Sequence, residues 1–331
     1  MNIFEVPKKE TVNATMSAKS IALVGLSKTG KSTLASQAPR PIFLMTENGV
    51  EGLTGMVPIP IGSWTDFKQA VTQLCMPKGR ENFDTVVIDT YTNLILLLDK
   101  YIGQKMSTDQ KTFAFGSDAE FGKGVKAMKN ELGVQLQKLA NQGYLLLNIV
   151  HAEYKTDFNT QQSFVGTSLS SGMYGTIEKF VDQIVYLKKD IDKNTGEFIH
   201  TIWYNGKGGF PGAGGRWTPN VDSSPCTYAD LERVMLDAIK TSGENKGATL
   251  INETMAPAVS INAEEPDFNE LIAEFKSLTD EAMEKDPESN SIKIRNIVES
   301  VLGVGKKVNN LSSTQVELLA EVIEKIKEAE F

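Results

Sequence analysis

Short apolar runs alternate along this chain with stretches whose apolar positions recur every three or four residues. The runs beginning at Ile21, Pro41, Met56, Phe83, Tyr144, Asp182 and Phe198 read as strands. Between and after them, the helical period predicts helices over Lys31–Ala38 (stopped by Pro39), Ser63 to about Leu74, Tyr91–Ile102, Glu120–Asn141 and Tyr228–Ile239. Ser63-Trp64-Thr65-Asp66 has the form of a capping box with Asp in place of Glu. Met76–Arg80 reads as a loop. Residues 104–119 and 153–174 read as longer irregular loops, and Lys193–Gly196 as a turn. Strands alternating with helices predict an α/β fold with a mainly parallel sheet flanked by helices.

After residue 240 the pattern changes. Residues 241–266 lack periodicity and are rich in Gly, Asn, Ala, Glu and Pro, which predicts a linker. Three amphipathic helices then follow and predict a small C-terminal bundle. They span Phe268–Glu284 behind an Asp267-x-x-Glu270 cap, Ser291–Leu302, and a segment behind Ser312-x-x-Gln315 with Val316, Leu319, Ile323 and Ile326 on its stripe. Leu302-Gly303-Val304-Gly305-Lys306-Lys307 reads as a helix C-cap and turn. The expected organisation is an N-terminal arm over 1–19 with one edge strand, a core over 20–240, a linker over 241–266 and a helical domain over 267–331.

Composition narrows the class. A length of 331 residues suggests about two domains, and 40% hydrophobic residues suffice for a normal core. No apolar run approaches the ~20 residues of a membrane span, and Met1–Ser20 has no signal-peptide core, so a cytoplasmic protein is expected. The two cysteines, Cys75 and Cys226, are too far apart in sequence to suggest a metal or disulfide framework. The net charge of −8 argues against a broadly basic nucleic-acid coat but not against a local basic groove.

The chemistry gathers after the first strand. Gly25-Leu26-Ser27-Lys28-Thr29-Gly30-Lys31-Ser32-Thr33 is a P-loop between a strand and a helix, the setting that motif requires. Its backbone N–H groups form a concavity for phosphates. Lys31 is expected on the β- and γ-phosphates and Ser32 on Mg²⁺. The predicted ligand is therefore ATP, with Mg²⁺. Asp89 ends the strand Phe83–Thr90 as a Walker B acid for the magnesium shell. Glu47 ends the strand after the P-loop helix, where a carboxylate is placed to polarise the attacking water. His151 stands at the tip of Tyr144–Val150 as a γ-phosphate sensor. Lys207 and Arg216 lie on a Gly-rich loop and are candidate trans-acting fingers for a neighbouring subunit.

The order of these elements resembles the RecA core. Thr46-Glu47-Asn48-Gly49, Val87-Ile88-Asp89-Thr90 and Ile149-Val150-His151-Ala152 are most similar to the small phage-encoded RecA-like ATPases of the Sak group, which are single-strand annealing recombinases. That resemblance spans about residues 18–240. It implies a homo-oligomeric ring or filament, a single-stranded DNA substrate, a single-stranded DNA-binding protein as partner, and the host bacterial cytoplasm as location. It makes the two irregular stretches DNA loops, with Lys105, Lys111 and Lys155 for phosphates and Phe113, Phe115, Tyr154, Phe158 and Phe164 as stacking platforms. His151 departs from RecA, which has a glutamine there. The competing expectation is a nucleotide-gated interaction module of phage replication or packaging. No Asn-Lys-x-Asp element for guanine is present.

Overall fold

The computed structural model describes residues 11–47, 56–108, 111–119, 122–245, 248–252, 268–311, 316–329 and 331. The chain divides into two compact units, Met1–Val259 and Ser260–Phe331. In the first, the elements run β1 (Thr11–Asn13), β2 (Ser20–Gly25), α1 (Lys31–Ser36), β3 (Pro41–Met45), β4 (Val57–Pro60), α2 (Trp64–Cys75), α3 (Pro77–Asn82), β5 (Thr85–Asp89) and α4 (Tyr91–Met106). There follow α5 (Lys123–Asn141), β6 (Leu145–Thr156), β7 (Ser163–Thr167), α6 (Ser171–Phe180), β8 (Gln183–Ile191), β9 (Phe198–Trp203), β10 (Gly214–Gly215), β11 (Ser223–Pro225), α7 (Tyr228–Asn245) and β12 (Thr249–Ile251).

The main sheet has the order β11-β9-β8-β2-β6-β5-β3-β4. From β8 through β4 every neighbouring pair is parallel, while β8, β9 and β11 are joined antiparallel. This is the α/β architecture the alternation of strands and helices implies. Strand β2 is buried on both sides, and its side chains divide between two cores. Ala22 and Val24 pack with residues of α2, α4 and α5, whereas Ile21 and Leu23 pack with α1 and α7. The apolar runs are continuous rather than alternating because both faces are covered. All the parallel strands end at one edge, and ligands of open α/β sheets bind outside that edge.

Caps explain several helix starts. The Ser63 hydroxyl accepts from Asp66 N–H at 3.1 Å, and the Asp66 carboxylate accepts from Gly62 N–H at 3.2 Å. At the opposite edge of the sheet, Arg40 makes a two-pronged bond to Asp84, with both distances 2.7 Å, and also donates to the Glu81 carbonyl.

Four expectations are corrected. Met76–Arg80 is not a loop, because Pro77 starts the short helix α3 at the position where its missing N–H costs nothing. Gly79 fits there because a Cβ would press on Tyr144 Oη and the Leu74 backbone. Residues 153–174 are not irregular either: β6 runs on to Thr156 and pairs antiparallel with β7, and α6 begins at Ser171. The arm over 1–19 and the linker over 241–266 also overlap the core. Helix α7 continues to Asn245, and β12 pairs in parallel with β1. Residues 253–267 lie outside the described residues, as do Asn48, Gly49, Asp109, Gln110 and Glu120.

The second unit contains α8 (Phe268–Lys285), α9 (Pro287–Leu302) and α10 (Val316–Glu328) around Leu271, Val298, Leu302, Leu319, Val322, Ile323 and Ile326. Helix α9 starts earlier than its apolar period suggests because Asp286 caps it, accepting from Ser289 N–H at 3.1 Å. Gly303 ends it with φ 97°. The expected caps Asp267-x-x-Glu270 and Ser312-x-x-Gln315 fall on undescribed residues.

Candidate nucleotide-binding site

The loop after β2 has the backbone the motif demands. Gly30 sits at φ 94°, a conformation that favours glycine, and a Cβ on Gly25 would lie 2.5 Å from Thr29 Oγ1 and 3.0 Å from the Leu187 carbonyl. Lys31 is buried and its ammonium donates to the loop's own carbonyls, Gly25 O at 2.9 Å and Leu26 O at 2.8 Å. Burial lowers its pKa to about 8, against the opposing pull of Asp89 and Glu47.

The acidic side of the cleft comes from neighbouring strand ends. Ser32 Oγ donates to Asp89 Oδ2 at 2.7 Å. Burial raises the Asp89 pKa despite that bond. Two hard oxygen donors side by side, with phosphates to supply the rest, suit a nucleotide-borne Mg²⁺. Among the described residues no group of three or more His, Cys, Asp or Glu forms a self-sufficient metal cage.

Glu47 Oε1 accepts from Thr90 Oγ1 at 2.7 Å and from His151 Nε2 at 2.8 Å. Partial burial alone raises the Glu47 pKa, but the bonds from His151 and Thr90 outweigh it, and the carboxyl titrates below the ordinary glutamate value. Thr90 is itself gripped by Thr46, whose hydroxyl donates to Thr90 O at 3.0 Å and accepts from Thr90 N–H at 2.9 Å. The Asp89–Thr90 peptide is cis.

Ser27, Lys28, Thr29, Gly30, Lys31, Ser32, Thr33, Glu47, Asp89 and His151 thus line one cleft of about 380 Å³, together with Met45, Thr90 and Ile149. Every P-loop residue anticipated from Ser27 to Thr33 is there. Gly25 lies just beneath, supplying a carbonyl to Lys31. Thr90 was not anticipated, although a hydroxyl directly after a strand-ending Asp is a visible signal. His200 on β9 was not anticipated either. Its Nδ1 donates to the Thr29 carbonyl at 2.9 Å and so braces the P-loop from outside.

Residues 17–212 match the sequence profile of a family described as AAA domain, more than half of the chain. The chain belongs to that family. A relative along nearly the whole length is the SPbeta prophage-derived uncharacterized protein YorG of Bacillus subtilis strain 168, 23% identical over 340 residues and covering 97% of each chain. A KaiC-like protein, PH0186, from Pyrococcus horikoshii OT3 aligns at 13% identity with a TM-score of 0.33, over 56% of this chain and 78% of that one. AAA domains are nucleotide-binding P-loop ATPase modules, and the cleft lies wholly inside the matched span. Among the described residues no helix is long and apolar enough to cross a membrane.

Other anticipated residues lie outside the AAA domain's cleft. Lys207 is paired with Asp222 at 2.9 Å and Arg216 with Asp182 at 3.2 Å. Arg216 N–H also donates to Asp182 O, beside the start of β2, at the end of the sheet away from the P-loop. In the first expected DNA loop, Lys105 belongs to α4 and lies 5.8 Å from the Tyr101 ring centre. Lys111 lies 4.9 Å from the Phe113 ring centre; Phe113 is half-buried, and Phe115 is only just exposed. The second is the β6–β7 hairpin. Tyr154 is 74% exposed and Phe158 89% exposed, while Phe164 is half-buried and Lys155 pairs with Glu153 at 3.4 Å. Asp157 orders the tip by accepting from Asn159 N–H at 3.0 Å and Thr160 N–H at 2.7 Å.

Proposed function

We propose that the chain is an ATP-binding and ATP-hydrolysing RecA-like phage protein acting on single-stranded DNA in annealing or homologous recombination. The supporting observation is one continuous strand. Strand β6 carries His151 against Glu47 in the phosphate cleft and then extends into a hairpin that holds Tyr154 and Phe158 out in solvent. Exposed rings on a hairpin suit base stacking, which is sequence-tolerant because every base has a π-face. The prophage origin of YorG fits a phage setting.

In this reading Lys31 neutralises the β- and γ-phosphates, and Ser32 and Asp89 hold Mg²⁺, which when bound draws charge from the phosphate oxygens. Glu47 orients and deprotonates the attacking water. His151 releases Glu47 when a γ-phosphate arrives, and the movement reaches the hairpin through β6. Lys207 or Arg216 serves a neighbouring copy in a homo-oligomer after leaving its acidic partner. Phosphate release measured with and without a poly-dT oligonucleotide tests the proposal. Stimulation by the oligonucleotide is the expected result. Turnover that ignores DNA under every condition favours the nucleotide-gated interaction module instead.

A further inference from the structure

The cleft accounts for the phosphates of a nucleotide but not for its base. Among the described residues no Phe, Tyr or Trp lines it. The groups at the γ-phosphate end, Asp89 on β5, Glu47 after β3 and His151 on β6, all lie on one side of β2 in the sheet order. The nucleoside must therefore leave the P-loop towards the other side, where β8 and β9 stand.

Those two strands outrun β2. Gly25, the last residue of β2, pairs with Leu187, and β8 continues from Lys188 to Ile191, still paired with β9. The pairs Leu187–Ile202, Lys189–His200 and Ile191–Phe198 share one face of this hairpin, since every second residue points the same way. Leu187 and Ile202 are buried in the core with α1. His200, one step further out, holds the Thr29 carbonyl of the P-loop. One step beyond His200, the same face presents Phe198, 63% exposed, opposite an exposed Ile191. The Lys189 ammonium sits 3.6 Å from the centre of the Phe198 ring. An apolar ring and a branched aliphatic side chain thus stand largely exposed just past the phosphate loop, on the hairpin whose His200 is hydrogen-bonded to that loop.

We propose that this outer face of the β8–β9 hairpin, with Phe198 as platform and Ile191 beside it, takes the base of the bound nucleoside triphosphate. The proposal rests on the nucleotide-binding reading of the P-loop and adds the subsite that reading lacks. Lys189 braces one face of the ring and leaves the other to the base. His200 sets the distance between platform and phosphates.

Calorimetric titration of the full chain with ATP and, separately, with inorganic tripolyphosphate, each with Mg²⁺, tests it. In wild type both ligands bind. Phe198→Ala weakens ATP on the order of ten-fold, as loss of one base–aromatic stack should, and leaves tripolyphosphate unchanged. Phe198→Trp restores ATP binding, which also shows that the hairpin tolerates substitution. Equal weakening of both ligands by Phe198→Ala overturns the platform, because the damage then runs through the phosphate loop. Unchanged ATP binding also overturns it; if sedimentation shows that self-association is lost at the same time, Ile191 and Phe198 are a contact between copies. A wild type that binds neither ligand overturns the nucleotide-binding reading, and the platform with it.

Discussion

Glu47 holds two donors on a single oxygen, and that fixes the plane of its carboxylate before any substrate arrives. Glu47→Gln keeps an acceptor for both Thr90 and His151 but removes the base. ATP affinity should survive while phosphate release falls on the order of 10²-fold or more. A variant that turns over like wild type moves the catalytic carboxylate elsewhere. Lys31→Ala removes a buried ammonium of the cleft and should abolish tight ATP binding by calorimetry. The sequence revealed Lys31, Ser32, Asp89 and Glu47 because each sits at a fixed offset from a glycine or at a strand end, where local pattern is informative. His200 was hidden for the opposite reason. It lies among Phe198, Ile199, Thr201 and Ile202 of an ordinary-looking strand, and its partner Thr29 is remote in sequence.

The β6–β7 hairpin shows where local pattern fails at the level of elements. From Glu153 to Thr156 polar residues occupy both faces, and in Ser163–Thr167 the apolar Phe164 and Val165 fall on opposite faces, so no period of two stands out; the strands form because each is the other's partner. Replacing Tyr154 and Phe158 by Ala should weaken single-strand binding by about 1–3 kcal/mol per lost stack, read by fluorescence anisotropy. ATP binding and melting temperature should not change. Strand β5 offers a pH test at its other end. The Arg40 hydrogen bonds hold the Asp84 pKa below its ordinary value, against some opposing burial. A carboxylate lowered on folding stabilises the fold above its unfolded pKa, about 3.9, and that contribution is lost as the pH falls through the lower folded value. Thermal melts of wild type should therefore drop towards pH 3 more steeply than those of Asp84→Asn, which lacks the titrating group. Parallel slopes would mean the pair contributes nothing.

Across the whole molecule, two units were legible because the helical period of the C-terminal part differs so plainly from the strand runs before it. Their boundary was less so, since β12 is only three residues long and is a strand solely by pairing with β1. The parallel centre of the sheet has a further consequence, in time rather than in space. Ser20 pairs with Leu146, and the cleft takes residues from both ends of that span. Such pairings close long loops before any contact rewards them, so folding is slow and the cleft is complete only when the sheet is. Nucleotide finds nothing to hold in a half-assembled chain. In stopped-flow experiments it should leave the refolding rate unchanged and slow unfolding in proportion to its affinity. The bound ligand then acts as a latch on a finished sheet, set only after the last strand has been laid.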